Sequence, residues 1–256
     1  MLLTADIGNT SITLGLFDDN ALVDEYRIAS DKDLSQDEYE ILLRTLFKNA
    51  DITDAIIGSV VCELDKKFKN AIDNVFGIDT LMLSPKINTG IKIKLKNPME
   101  TGADRIANAV GAYMLYKKPV IVVDFGTATS FDIVNSQGEF VGGVIAPGVN
   151  LQLKTLNKFT SKLPKIDIAK AEKAIGDCTT NAILSGVIRG SACMIDGLVR
   201  QCEEELGESA TLIATGGYAT MITDYMTRPF DFINPNLTLE GLRYIYSFNK
   251  IESVSK

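Results

Sequence analysis

Two short phrases of this chain set a carboxylate beside glycine and hydroxyl residues: Asp6-Ile7-Gly8-Asn9-Thr10 and Asp124-Phe125-Gly126-Thr127-Ala128-Thr129. Glycine lets backbone N–H groups approach an anion, and hydroxyl and amide side chains add donors. An Asp one or two residues earlier can hold Mg2+, directly or through water. Those parts suit a nucleoside triphosphate and its metal. A single such phrase also describes an ordinary hairpin turn, in which Gly and Asn supply positive φ. Its repetition favours the functional reading. Neither phrase is a Walker A loop, because GxxxxGK[ST] is absent.

A third group, Gly102-Ala103-Asp104-Arg105, stands at the start of a helical pattern. Asp104 there is either a helix cap with a salt-bridge neighbour or a general base beside a cation. A carboxylate within reach of a primary hydroxyl could accept its proton as that oxygen attacks phosphorus. The helix N-terminus and Arg105 are expected to keep Asp104 ionised. Thr215-Gly216-Gly217 follows a buried strand and reads first as a strand-to-helix turn, although a flat ring could lie against it. The glycines between Gly142 and Gly148 suggest close backbone approach, to a ligand or to the other domain, and an ordinary structural role accounts for them equally well.

These residues need elements to place them. Each Asp phrase follows an apolar run and leads into another, which reads as strand, tight turn, strand. Strands are predicted at 2–6, 11–17 and 22–28, with Asp18-Asp19-Asn20 as the turn between the last two. A helix is predicted at 34–49, capped by Ser35, with Tyr39, Leu42, Leu43 and Leu46 on one face. Then come a strand at 55–61, a helix at 64–75, strands at 79–83 and 91–95, and a helix at 104–116. The second half repeats the order with strands at 120–124, 130–135 and 138–145, then helices and a strand at 212–214. The boundary falls near Lys117-Lys118-Pro119, giving an α/β chain of two similar domains, 1–117 and 118–256, with a ligand between them.

Composition narrows the chemistry. The chain has 256 residues, 46% hydrophobic and 23% charged, so a folded core is expected. A net charge of −7 and no basic stripe argue against nucleic-acid binding. There is no histidine, and Cys62, Cys178, Cys193 and Cys202 have no CxxC spacing. A Cys/His zinc site and any imidazole base are thereby disfavoured, so a base would be a carboxylate. No signal peptide is read at the N-terminus, and no apolar run approaches the roughly 18 residues of a membrane span. A cytoplasmic protein with reduced thiols and no membrane partner is the expectation.

Together these phrases resemble the acetate and sugar kinase, heat-shock 70 and actin superfamily. More narrowly, the chain is similar to type III pantothenate kinases over nearly its whole length. The matching stretches include the two Asp phrases, Asn97-Pro98 with Gly102-Ala103-Asp104-Arg105, Gly142 to Gly148, Leu163-Pro164, Thr215 to Gly217 and Leu237-Thr-Leu-Glu-Gly-Leu242. The resemblance implies two ribonuclease-H-like domains with a nucleotide cleft between them. It implies transfer of the ATP γ-phosphoryl group to the 4′ hydroxyl of pantothenate, the first step of coenzyme A biosynthesis. Asp104 would be the catalytic base. Asp6, Ile7, Gly8, Asn9, Thr10, Ser11, Ile12 and Thr13 would cradle ATP, with Asp6 near Mg2+, and Thr127 would also contact ATP. Gly102, Ala103, Asp104 and Arg105 would bind pantothenate. Asp124 would hold a monovalent cation, K+ or NH4+. Thr179 would reach pantothenate from a neighbouring subunit, which implies a homodimer.

Two positions depart from the family pattern. Leu95 stands where a tyrosine often precedes the Asn-Pro pair, and Asp177-Cys178 stands where Lys-Asn commonly precedes the threonine. Both bear on acceptor recognition rather than on phosphoryl chemistry. The same fold could also serve a regulatory nucleotide-binding protein or a phosphatase of polyphosphate or guanosine phosphates. Retention of Asp104 and Asp124 favours the kinase over the regulator, and the missing basic channel disfavours the phosphatase.

Overall fold

The computed structural model describes residues 1–254. Its chain forms two compact units, Met1–Leu115 with Asn236–Lys256, and Tyr116–Pro235. In the first unit, β1 (Leu2–Ile7), β2 (Ser11–Asp18) and β3 (Ala21–Ala29) form an antiparallel meander. Helix α1 (Gln36–Leu46) leads to β4 (Asp54–Ser59), and α2 (Cys62–Phe76) to the short strand β5 (Leu81–Met82). Both β4 and β5 join in parallel, so the sheet order is β3-β2-β1-β4-β5. A two-residue strand β6 (Lys92–Ile93) and a 3-10 turn at Pro98–Glu100 precede α3 (Ala103–Tyr116).

The second unit repeats this plan. Its strands are β7 (Val120–Phe125), β8 (Ala128–Val134) and β9 (Glu139–Pro147), again antiparallel neighbours. Helix α4 (Val149–Lys158) follows, then α5 (Thr179–Leu184), a π-helical turn at Ser185–Arg189 and α6 (Gly190–Leu206). Strand β10 (Thr211–Gly216), helix α7 (Ala219–Thr223) and strand β11 (Phe232–Ile233) complete it. Within the six-stranded second sheet, five strands run in the order β9-β8-β7-β10-β11, the same sequence of relations as in the first sheet. The two mixed sheets fit the two ribonuclease-H-like folds that the family resemblance implies, and their likeness is the one the repeated phrase suggests.

Alternation along the strands explains the layers of the first unit. On β4, Ala55 and Ile57 join one core cluster and Ile56 joins another, as side chains at successive strand positions face opposite sides. One side packs on Tyr39 and Leu43 of α1 and Leu64, Phe68 and Ile72 of α2. Ser35 caps α1 with a full capping box, its Oγ accepting from Glu38 N while the Glu38 side chain accepts from Ser35 N. The other side packs on α3 and on the last helix, α8 (Leu237–Val254).

That last helix departs from the boundaries read in the sequence. Residues 237–254 were assigned to the second domain, yet α8 sets Leu242 and Ile245 against Ile106, Ala107 and Val110 of α3. Small residues allow it. A Cβ on Gly241 would come closer than 3.0 Å to the Ala107 carbonyl, and one on Gly111 would stand 2.7 Å from Leu237 O. Only glycine lets the two backbones meet this closely.

In the second unit, Ile121, Val123 and Phe125 of β7 pack with Leu212 and Ala214 of β10 and with Ile183, Ile188, Ala192 and Ile195 of the long helical stretch. That stretch, Thr179–Leu206, is long and apolar enough by composition to cross a membrane, with hydropathy 1.5 in its most apolar window. Of that window, 44% is buried in the core of the unit.

Candidate active site

The first turn is built at the carboxyl end of β1. The β1–β2 register pairs Asp6 with Thr13 and Ile7 with Ile12, leaving Gly8 to Ser11 at the tip. Paired residues share a sheet face, so the Asp6 carboxylate and the Thr13 hydroxyl lie on the same side. Gly8 N donates to Ser11 O at 3.0 Å and closes the turn. Asn9 and Thr10 are exposed, whereas the side chains of Ile7 and Ile12 are fully buried in the core. Any contact of those two isoleucines with a ligand is therefore through the backbone. Two residues that the sequence did not single out brace this turn. Ser30 donates from its N to Thr10 O at 3.2 Å and from its Oγ to Gly8 O. Arg27 Nε donates to Ser11 Oγ at 2.9 Å. Only the β2–β3 pairing brings them there, so no local pattern could have named them.

The second turn has the same construction, one residue shorter. Asp124 pairs with Ser130 and Phe125 with Thr129, leaving Gly126, Thr127 and Ala128 at the tip. Asp124 thus occupies on β7 the place of Asp6 on β1. Neither Gly8 nor Gly126 has positive φ, so these glycines are not present for handedness. A Cβ on Gly126 would meet only Ala128 O at 3.5 Å and Asp124 Oδ1 at 3.7 Å. The fold itself has room for a side chain there.

The two glycine phrases left open in the sequence converge on this turn. Gly148 caps α4, and a Cβ on it would stand 2.7 Å from Gly126 O. Gly216, at φ 85°, packs on Phe125, where a Cβ would meet Phe125 O at 2.7 Å. Their tight packing on the second turn explains both glycines without a ring stacked on the backbone.

Asp104 begins α3. Its Oδ1 accepts from Arg105 N at 2.8 Å, so the carboxylate folds back over the helix start. Gly102 makes space for it: a Cβ there would come closer than 3.0 Å to Asp104 Oδ1 and 3.2 Å from Val60 Cγ1. Burial pushes the Asp104 carboxyl above the usual carboxylate range, against the lowering effects of its bond from Arg105 N and of the Arg105 charge. Arg105 and the helix start favour the ionised form, as expected, and desolvation outweighs them in the direction of the shift. Ala103 is buried, while Gly102 and Arg105 are half-buried.

Thr179 is the first residue of α5 and is exposed. Gly176 packs against the α5 backbone, and Asp177 Oδ1 accepts from Asn181 Nδ2 at 2.7 Å. The departing residue Asp177 therefore braces the first turn of α5, next to Thr179. Leu95 is half-buried just before the 3-10 turn.

The donors suit hard cations. Among the described residues no three His, Cys, Asp or Glu side chains gather into a metal cluster. Asp6 and Asp124 each offer one carboxylate beside a hydroxyl, Thr13 and Ser130 respectively. Mg2+ is commonly held by one or two carboxylates with substrate phosphates and waters completing its shell. Oxygen donors of this kind fit Mg2+ or K+ and not zinc.

Comparison with known proteins bears on the same residues. The model of the type III pantothenate kinase family matches residues 2–201. A type III pantothenate kinase from Dehalococcoides mccartyi is 42% identical over 255 residues, covering 98% of this chain and 97% of that protein. One from Exiguobacterium sibiricum is also 42% identical, covering 98% of this chain and all of that protein. Among solved structures, a Baf family transcriptional activator from Campylobacter jejuni superposes with a TM-score of 0.63 at 21% identity, over 97% of this chain and 99% of that one. A ROK hexokinase from Thermus thermophilus gives 0.55 at 11% identity, over 100% and 99%. Those two likenesses concern the fold alone. With a matching family model over most of its length and relatives of this identity, the chain belongs to the type III pantothenate kinase family.

Proposed function

We propose that the chain transfers the γ-phosphoryl group of ATP to the 4′ hydroxyl of pantothenate, with Asp104 as the general base. The observation that carries this reading is Asp104 itself, folded over the start of α3 by Gly102 and raised in pKa by burial within the family's Gly-Ala-Asp-Arg phrase. A base must be ionised yet basic enough to take a proton as the oxygen attacks; burial makes Asp104 the stronger base, while Arg105 favours its ionised form. The proton of the 4′ hydroxyl passes to an Asp104 oxygen as the oxygen bonds phosphorus and the bond to the ADP oxygen breaks.

Gly102 to Arg105 take the acceptor, with Arg105 offsetting charge beside the base. The turn from Asp6 to Thr13 offers backbone N–H groups and the hydroxyls of Thr10, Ser11 and Thr13 to ATP phosphates, and Thr127 adds a hydroxyl from the second turn. Asp6 would hold Mg2+ with ATP, and Asp124 would hold K+ or NH4+. When bound, these cations supply positive charge to the phosphates of an otherwise acidic protein. Positioning and charge neutralisation are most of what phosphoryl transfer asks of a protein.

We further propose a homodimer in which Thr179 of one protomer serves the acceptor of its partner. The exposure of Thr179 and of the nearby Ile175, 87% accessible, supports it. Four free thiols fit a reducing, cytoplasmic setting.

The test is identification of the product. Incubation with ATP, Mg2+, K+ and pantothenate, followed by 31P NMR and mass spectrometry, is expected to reveal a phosphomonoester on the primary hydroxyl. ADP and inorganic phosphate without the ester would overturn the reading and point to water as acceptor.

A further inference from the structure

A second concave site lies in the first unit at the amino end of β1, whereas the Asp6 turn lies at its carboxyl end. Four strand steps separate Leu2 from Asp6, about 13 Å of extended chain. The cavity, about 620 Å3, opens between the β2–β3 turn, the start of β4 and the last turns of α8.

Its lining is mixed, apolar and polar, and unevenly charged. Arg243 of α8 is only 9% exposed. Its Nη1 donates to Asn20 Oδ1 at 2.6 Å, and its guanidinium lies 4.1 Å from the Tyr244 ring centroid. Its Nε has no hydrogen-bond partner among the described residues, and no carboxylate among them forms an ion pair with it. Arg243 lines the cavity, but its Nε is closed off from it, so the ends of the guanidinium are what an occupant meets; a guanidinium is matched best by a planar carboxylate. Of the other cations of the site, the Met1 ammonium donates to Asp51 O at 2.9 Å and Lys250 is committed to Asp54 at 2.9 Å; Asp54 also accepts from Tyr246 Oη and from Thr53 Oγ1. Asp18 and Asp19, by contrast, are exposed in the β2–β3 turn and bring two carboxylates to the rim.

We propose that this cavity binds a small amino carboxylate, with its carboxylate on Arg243 and its ammonium group at Asp18 and Asp19. A dianionic phosphate would meet the rim carboxylates unfavourably, and a simple amine would meet Arg243. The site is joined to the helix that carries Asp104. Two residues before Arg243, Gly241 lies against Ala107 of α3, and Thr238 Oγ1 donates to Asn108 Oδ1 at 2.7 Å. An occupant therefore bears on the α8–α3 contact.

The experiment is calorimetric titration of the whole protein with glycine, β-alanine, 4-aminobutyrate and 6-aminohexanoate, against propionate, propylamine and inorganic phosphate. At least one amino carboxylate is expected to bind saturably at one site per chain. Removing both rim charges, Asp18→Asn with Asp19→Asn, is expected to weaken it by at least ~10-fold, the scale of one charge-assisted contact. Arg243→Met is expected to abolish it, and Asp104→Asn to leave it unchanged. The rim pair is exposed, so that variant decides the matter even if Arg243→Met fails to fold. Saturable binding by no member of the series would overturn the proposal. So would phosphate or propionate binding as tightly, undiminished binding in the rim variant, or loss of binding in Asp104→Asn.

Discussion

Asp104 carries opposing demands. Its environment raises the carboxyl pKa through burial, even though Arg105 contributes both a backbone N–H and a positive charge. A raised carboxyl pKa means that the folded state holds the proton more tightly than the unfolded chain. That contribution to stability is present below the unfolded value, about 3.9, and is lost as pH rises through the folded value. At neutral pH the ionised carboxylate therefore opposes folding. Asp104→Asn is expected to raise Tm while lowering kcat by at least ~100-fold, the usual scale of a general base. Calorimetry and steady-state assay on the same sample check both, and near-normal turnover would remove Asp104 from the mechanism. The same shift places the acid limb of kcat/KM above the ordinary carboxylate range, with activity rising as pH increases through it. A limb at or below about pH 4 would contradict it. Gly102→Ala tests positioning, since its φ is not positive and only the carboxylate and Val60 stand in the way of a Cβ. Tm is expected to hold while kcat falls by up to ~100-fold, the consequence of a base displaced by about 1 Å.

At the scale of elements, the argument rests on two hairpins with one design and on the helix pair α3–α8. If Asp124 holds a monovalent cation, activity is expected to need K+ or NH4+, and equal rates in sodium-only buffer would count against that site. Gly241→Ala is expected to destabilise the fold by at least about 1–3 kcal/mol, as for other overpacked contacts, because its Cβ would collide with the Ala107 carbonyl. Urea denaturation measures this directly. Much of this layer was legible in the sequence. Apolar runs flanking Asp6 and Asp124 fixed the strands and their turns to within a residue or two, and Ser35 marked the start of α1. The braces of the first turn were not legible, because Ser30 and Arg27 reach it only through strand pairing. The burial that raises the Asp104 pKa was not legible for a related reason: the neighbours that favour ionisation are adjacent in sequence, whereas desolvation comes from distant atoms.

For the whole molecule, the repeated phrase foretold two units of like topology, and five strands of each sheet share one order and pairing. Chain order misled at the end, where α8 returns to the first unit because its small and apolar residues fit α3 and not because of any local signal. Assembly is the remaining question at this scale. The proposed sharing of Thr179 predicts a dimer by light scattering coupled to activity, and Ile175→Asp is expected to weaken it. A fully active monomer would refute the shared site.

The most direct test of the central claim is ADP release from ATP with and without pantothenate, in potassium and in sodium buffer, with Asp104→Asn as control. The account predicts turnover that requires pantothenate, is faster in potassium and is lost in the variant. ADP release independent of pantothenate, or undiminished in Asp104→Asn, would contradict it.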